Sequence, residues 1–304
     1  MLKISVAICT YNRERYLPQL FNSILKQTLD RSQFEVILIN NNSPGNTSEL
    51  FDAFRNEHPE ILTTYAIETN QGLSFARNHA IELAKFPLIT FLDDDAFIQE
   101  NYLEICVKAF EADANMDAMG GKILLYYESN KPAWENKYLN ALLGFYNPGD
   151  KKLRYSKKDY PRGSNMIFKT DLFKEVGGFH TGLGRTDKSM IGGEEKELFD
   201  RVYKAKLCVY YEPKALVFHC VPVERTTSTF IRRQAIGAGM SERVRTKTVG
   251  TGAFISRCFR EVLLWCASIF LWFIFLFKMK PAKGNMIIAF RWWLSQGLIG
   301  WKRE

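Results

Sequence analysis

Thr90-Phe91-Leu92-Asp93-Asp94-Asp95-Ala96 joins an apolar segment to three consecutive carboxylates. Residues 88–91 are typical of a buried strand, so the acids are expected at its carboxyl end. Asp93 and Asp95 would project to the same side of an extended chain, which suits a shared divalent cation. Oxygen-rich sites of this kind hold Mg²⁺ or Mn²⁺ together with phosphate oxygens. The alternative is a solvated acidic turn that starts a helix.

Strands and helices alternate around this stretch. The hydrophobic pattern predicts strands at 3–9, 34–39, 62–67 and 88–93, separated by helices at 16–27, 47–55 and 73–85. Further along, we predict strands at 118–126, 164–168, 208–211 and 215–219, and a helix at 194–206. This alternation is typical of an α/β protein with a doubly wound, mostly parallel sheet.

Charge divides the 304 residues into two predicted domains, a globular one at 1–225 and a basic, hydrophobic one at 226–304. Residues 225–304 carry 14 Lys and Arg against three acids, which leaves 27 basic and 30 acidic residues before them. The basic residues flank the most apolar part of the chain, which favours an anionic membrane surface over nucleic acid as the partner.

The C-terminal domain contains two apolar segments. Residues 262–277 carry no charge, but sixteen residues fall short of the roughly 20 that usually span a bilayer. Residues 286–301 contain Arg291 and several Trp, which suits an interfacial or re-entrant helix. A buried helical hairpin or an oligomer interface is the alternative. Six cysteines without CxxC spacing indicate a reduced, cytosolic compartment, so we expect the cytoplasmic face of the plasma membrane.

Polar runs follow each of the first four predicted strands. They are Thr10 to Arg13, Asn40 to Ser43, Asn70 to Asn78 and Asp93 to Asp95. Ligands of open α/β sheets bind at the carboxyl ends of the strands, so these runs would surround one nucleotide site. The sequence has neither the G-x-G-x-x-G fingerprint nor a P-loop, which argues against dinucleotide and kinase-type sites.

This ordered set resembles family 2 of the glycosyltransferases, which have the GT-A nucleotide-sugar-binding fold, over about residues 3–235. The family's T-Y-N-R-like run is here Thr10-Tyr11-Asn12-Arg13, and its N-x-G-x-x-x-A-R-N pattern is here Asn70 to Asn78. Its D-x-D metal motif falls on Asp93 and Asp95. Three downstream blocks also match, at 162–165, 176–179 and 193–195.

The resemblance implies a donor site and a metal site that holds Mn²⁺ or Mg²⁺. The implied donor-binding residues are Thr10, Tyr11, Asn12, Arg13, Asn40, Asn70, Gly72, Arg77, Asp93 and Asp94. The implied metal ligands are Asp95, Asp93 and His219, although a lone histidine is more often a core residue. The family usually carries Asp where this chain has Asn40, so the base of the donor stays open.

The block Gly193-Glu194-Glu195 resembles the family's G-E-D motif, whose last acid is commonly the catalytic base. That acid is Glu195 here, with Glu194 as the alternative, and an inverting transfer needs a carboxylate to take the acceptor's proton. Both could also simply form the acidic first turn of a helix. Gly163, Ser164 and Asn165 are implied on the acceptor side. Trp134 would either stack on an acceptor sugar or serve packing.

The sequence therefore predicts an inverting, metal-dependent glycosyltransferase. It would move one sugar from a nucleotide-diphosphate donor to a glycan or lipid-linked acceptor in surface polysaccharide assembly. The Q-x-x-R-W pattern of processive synthases is missing from the sequence, which favours single addition. Transfer to polyprenyl phosphate and a non-catalytic nucleotide-sugar-binding scaffold remain as alternatives.

Overall fold

A computed structural model describes residues 1–156, 159–184 and 193–300. Its strands are β1 Ile4–Thr10, β2 Phe34–Asn40, β3 Leu62–Ile67, β4 Leu88–Asp93, β5 Ala96–Ile98, β6 Ala118–Tyr127, β7 Leu153–Arg154, β8 Met166–Lys169 and β9 Val209–Val221. Its α-helices are α1 Leu17–Leu25, α2 Thr47–Glu57, α3 Leu73–Leu83, α4 Tyr102–Ala112, α5 Leu172–Val176, α6 Glu194–Lys204, α7 Ser228–Val249, α8 Thr251–Phe277 and α9 Pro281–Ile299.

The chain divides into two compact units. Unit 1 comprises residues 1–124 and 146–220, and unit 2 comprises residues 125–145 and 221–304. The sequence placed a boundary at 225 but left 125–145 with the first domain. That segment packs with the C-terminal helices through Trp134, Leu139 and Leu143, which share a core with Ile231 and Ile287.

Unit 1 is built on a mixed sheet in the order β3-β2-β1-β4-β8-β6-β9-β5, with β7 on β9. The first four strands in this order are parallel, as the alternation with helices predicts. From β8 onwards the recorded pairings are antiparallel, so the sheet is less parallel than expected. The apolar faces of β1, β2 and β4 are buried against the helices on both sides.

The two short strands predicted at 208–211 and 215–219 form a single strand, β9. Pro213 lies between two paired stretches of this strand: Tyr210 and Tyr211 pair with β7, and 217–219 pair with β5. A proline without an N–H is tolerated where no ladder bond is required of it.

In unit 2, α8 and α9 form a helical hairpin held by buried ion pairs. Glu261 accepts hydrogen bonds from Arg257 Nη1 at 2.8 Å and Arg291 Nη1 at 3.1 Å. Arg291, which interrupts the second apolar segment, therefore faces α8. Residue 301 of that segment lies outside the described residues. Among the described residues, α8 is the one helix long and apolar enough, by length and composition, to cross a membrane.

Candidate active site

The carboxyl ends of three parallel strands bring the first polar residues together. The register of β1 places Thr10 beside Asn40 of β2, and Cys9 beside Asp93 of β4. These polar residues therefore lie side by side along one edge of the sheet, as the predicted crevice requires, because parallel strands end at the same edge.

Asp93, Asp95 and His219 converge on one point. Each offers a ligand atom, and these atoms all lie within 4.8 Å of one another. Pairing of β5 with β9 sets Ala96 opposite His219, which brings the imidazole Nε2 to 3.3 Å from Asp95 Oδ1. Two carboxylates and an imidazole are ligands that suit Mn²⁺. These residues therefore fit the metal that the sequence implies.

Asp94 does not belong to this cluster and instead contacts the loop that follows β1. Its Oδ2 accepts a hydrogen bond from Thr10 Oγ1 at 2.8 Å, and its Oδ1 lies 3.3 Å from Arg13 Nη1. Arg13 also donates to Asp95 at 2.6 Å. Burial raises the pKa of Asp94 to about 7, although Arg13 opposes the shift. Asp94 thus fixes the run that follows β1 beside the predicted metal ligands.

The wall formed by the ends of β2 and β3 is organised by Asn41, which the sequence did not single out. Asn41 Oδ1 accepts from the N–H of Gly72, and its Nδ2 donates to the carbonyls of Glu68 and Asn70. Asn40 is also engaged within the protein, since its Nδ2 donates to the Tyr65 hydroxyl at 2.9 Å and its Oδ1 accepts from the Ser43 N–H. The sequence did contain a signal for Asn41, because it is the second of three consecutive asparagines at 40–42.

The remaining predicted residues of the run after β1 lie near this wall. The backbone N–H of Asn12 donates to Ser43 Oγ at 3.0 Å, and Asn12 has a positive φ of 53°. Tyr11 is partly exposed between Thr10 and Asn12. The loops that follow β1 and β2 are therefore joined to each other.

Arg77 connects the predicted metal ligand Asp93 to the predicted base. Its guanidinium is 2% exposed and lies 3.6 Å from Asp93, 3.3 Å from Glu194 and 3.6 Å from Glu195. Burial alone would lower the pKa of Arg77, but the carboxylates outweigh it and the pKa is raised. The buried Arg77 guanidinium fixes the three carboxylates relative to one another. Arg77 therefore has a structural role besides any contact with phosphate.

Glu195 has the environment of a general base. Its side chain is 22% exposed, whereas Glu194 is 6% exposed. Burial raises the pKa of Glu195 to about 7, with Arg77 lowering it and Glu194 raising it. A base is most effective when its pKa is near the working pH. A Cβ on Gly163 would overlap Glu195 Oε1 and Arg77 Nη2, so a larger residue there would displace one or both of these side chains.

Asn78 joins two of the sequence blocks. Its Nδ2 donates to the carbonyl of Phe179 at 2.9 Å, and its Oδ1 accepts the Phe179 N–H at 2.7 Å. The Phe179 ring in turn lies 5.2 Å from the Arg77 guanidinium, as in a cation–π contact. Asn78 of the Asn70–Asn78 pattern thus positions Phe179 of the 176–179 block.

The predicted acceptor residues fall in both units. Ser164 is buried next to Gly163. Asn165 is fully buried, accepts from the Tyr102 hydroxyl at 2.9 Å and donates to the carbonyls of Lys122 and Ala215. Trp134 lies in unit 2, where its Nε1 donates to the Thr226 carbonyl at 2.9 Å, which favours the packing interpretation.

Comparison with known proteins agrees with this geometry. Residues 5–177, more than half of the chain, match the family model described as glycosyl transferase family 2. The chain belongs to glycosyl transferase family 2. It is therefore a glycosyltransferase, and the family and the enzyme class predicted from the sequence are confirmed.

Two curated relatives extend over different shares of the chain. A glucosyl-dolichyl phosphate glucuronosyltransferase of Haloferax volcanii is 28% identical over 249 residues, which are 80% of this chain and 77% of that protein. The poly(ribitol-phosphate) β-N-acetylglucosaminyltransferase TarS of Staphylococcus aureus is 33% identical over 105 residues, 34% of this chain and 18% of its own.

A solved structure shows the same fold. A mannosyltransferase from Pyrobaculum calidifontis in complex with GDP-Man and Mn²⁺ superposes with a TM-score of 0.63 at 16% identity, over 99% of this chain and 88% of that one. The GT-A fold expected from the sequence is confirmed.

Proposed function

We propose that this glycosyltransferase moves one sugar, with inversion, from a nucleotide-diphosphate donor to a glycan or lipid-linked acceptor in surface polysaccharide assembly. The convergence of Asp93, Asp95 and His219 beside the Arg77-linked acids is the observation that carries the proposal. The mannosyltransferase with the same fold was solved with GDP-Man and Mn²⁺, which supports a donor of this class.

The residues have distinct tasks in the proposed reaction. Asp93, Asp95 and His219 would hold the divalent ion, which when bound neutralises the departing diphosphate. Glu195 takes the proton from the acceptor hydroxyl as that oxygen attacks the anomeric carbon opposite the leaving group. Arg77 would hold the Glu195 carboxylate at a fixed distance from Asp93, and so hold the base at a fixed distance from the metal ligands.

A lipid-phosphate-linked acceptor is favoured by one specific observation. A relative that aligns with 80% of this chain is named a glucosyl-dolichyl phosphate glucuronosyltransferase. The exposed apolar face of α8 is consistent with an enzyme that works at a membrane, on its cytoplasmic face in this proposal. Transfer directly to polyprenyl phosphate is the second candidate, and its product would be labile in mild acid after extraction into organic solvent.

Nucleotide binding tests the proposal against a non-catalytic scaffold. We expect UDP, GDP, CDP or dTDP to raise the apparent melting temperature of the full chain when Mn²⁺ is present, because a ligand that binds the folded state stabilises it. Asp95→Asn should abolish this shift, and Asp171→Asn, at a side chain that is 83% exposed, should keep it. A metal-independent shift, or none with any nucleotide, would contradict the proposed donor site. A metal-dependent shift in melting temperature without measurable sugar transfer would favour the non-catalytic scaffold.

A further inference from the structure

A cavity in unit 2 combines an apolar wall with a basic rim. It has a volume of about 370 Å³ and lies at the turn between α8 and α9. Leu271, Ile274 and Phe275 of α8 form the wall. Lys278 and Lys283, on either side of the turn, form part of the rim. Such a cavity is suited to a molecule with one anionic end and one apolar end.

The 125–145 segment completes the rim and sets its charge. Lys137 and Glu135 line the cavity together with Asn136 and Tyr138. Glu135 lies 3.6 Å from Lys283 and accepts a hydrogen bond from Asn140 at 2.6 Å, so it fixes the position of that lysine. Three lysines against one carboxylate leave a net charge of +2 around the cavity.

An apolar face lies directly beside the cavity on α8. Phe270, Phe273 and Phe277 are 67%, 47% and 84% exposed. Each precedes a cavity residue by one position, namely Leu271, Ile274 and Lys278, so the two faces are roughly 100° apart around the helix. A contiguous exposed apolar surface next to basic residues is typical of contact with an anionic membrane.

The surroundings of α8 argue for lying on the membrane rather than crossing it. The polar residues Glu135, Asn136 and Lys137 cover the C-terminal half of α8 at the cavity. In the hydrocarbon core these groups would lack water, at a cost of several kcal/mol for each unsatisfied group. At the headgroup level they remain solvated while the phenylalanine face enters the bilayer.

We propose that this cavity binds the phosphate of an anionic membrane lipid, with the lipid's chain against the phenylalanine face of α8. The inference rests on the proposed function in one respect, since a lipid bound here would hold the chain at the membrane that carries a lipid-linked acceptor. The lysines would neutralise the phosphate, and Glu135 would keep Lys283 directed towards it.

Vesicle flotation of the full chain tests the binding. We expect strong binding to phosphatidylcholine vesicles that contain phosphatidic acid and weak binding to phosphatidylcholine alone. Replacing Lys137, Lys278 and Lys283 together by Gln should weaken binding about 100-fold, since each lysine near an anionic surface contributes about fivefold. The matched control replaces Lys108, Lys174 and Lys214, three exposed lysines of unit 1, by Gln. It removes the same charge and should weaken binding less than about fivefold.

Three results would overturn the proposal. Equal losses in the two triple variants would mean diffuse attraction without a site. Equal binding to both vesicle types would exclude recognition of an anionic phosphate headgroup, because the choline of phosphatidylcholine cancels the charge of its phosphate. Displacement of the vesicles by millimolar inorganic phosphate would show a site for soluble anions. Metal-dependent nucleotide binding, measured on the same preparations, distinguishes failure of the proposed function from failure of this inference. Loss of nucleotide binding would contradict the proposed function alone. Retained nucleotide binding without flotation on the anionic vesicles would contradict this inference alone.

Discussion

Replacing Arg77 by Gln should destabilise unit 1 more than any surface charge change. The guanidinium is 2% exposed and faces Asp93, Glu194 and Glu195 at 3.3 to 3.6 Å. Its removal leaves three acids without their shared cation. Coulomb's law at an effective dielectric of about 20 gives roughly 5 kcal/mol for one such pair. Breaking a buried pair on one side costs about 3–5 kcal/mol, and we expect that loss here.

Native-state hydrogen exchange of β1 and β4 measures this loss within unit 1. Protection of the slowest amides should fall roughly a hundredfold or more, because each 1.4 kcal/mol is a factor of about ten. Arg55→Gln is the matched control, since Arg55 and Asp52 form an exposed pair. Its effect should stay within about 0.5 kcal/mol.

A second variant separates charge from packing. Adding Glu194→Gln to Arg77→Gln removes one of the stranded acids and should restore part of the protection, with a coupling energy of about 0.5–3 kcal/mol. If Arg77→Gln changed protection no more than Arg55→Gln, or if the double variant were the sum of the two single ones, the claim that Arg77 neutralises the buried acids would be wrong.

The further predictions concern the same site. Gly163→Ala should reduce transfer sharply, because its Cβ overlaps Glu195 and Arg77, whereas Gly237→Ala, with open space around it, should leave transfer unchanged; steady-state rates decide. The transfer rate should rise with pH around 7 as Glu195 loses its proton, and Arg77→Gln should move this rise to higher pH, because Arg77 lowers the Glu195 pKa; an unmoved pH–rate profile would contradict it. The folded chain keeps that proton up to higher pH than the unfolded chain, so the contribution of Glu195 to stability falls as pH rises from 4.5 to about 7, which denaturation across that range would measure. Asn41→Ala should weaken nucleotide binding and lower stability by about 1–3 kcal/mol, because it leaves the Gly72 N–H and two carbonyls unpaired; calorimetric titration and thermal unfolding would show both.

The local sequence pattern was sufficient to predict strands β1 to β4. The strand predicted at 62–67 coincides with β3, and the acids at 93–95 follow β4 as expected. Alternation of apolar residues and polar runs at strand ends are properties of neighbouring residues, so the sequence displays them directly. The same holds for the family motifs, which are contiguous blocks.

Contacts between distant residues were beyond this reasoning. Arg77 meets Glu194 across 117 positions, and no periodicity indicates that one arginine serves three acids. The 125–145 segment looked like a loop of the first domain, because its burial depends on helices that start a hundred residues later. Asn165 matched an acceptor motif, yet its side chain hydrogen-bonds Tyr102 and two backbone carbonyls in the core.

Glu195→Gln compared with Glu194→Gln tests the central claim most directly. Both variants would be assayed for Mn²⁺-dependent nucleotide binding and for transfer of labelled sugar into the lipid fraction of membranes. We predict that Glu195→Gln binds nucleotide as the unchanged protein does and loses transfer about 10²- to 10⁴-fold, the usual contribution of a general base. Retained transfer in Glu195→Gln, with loss in Glu194→Gln, would contradict the assignment of Glu195 as the base.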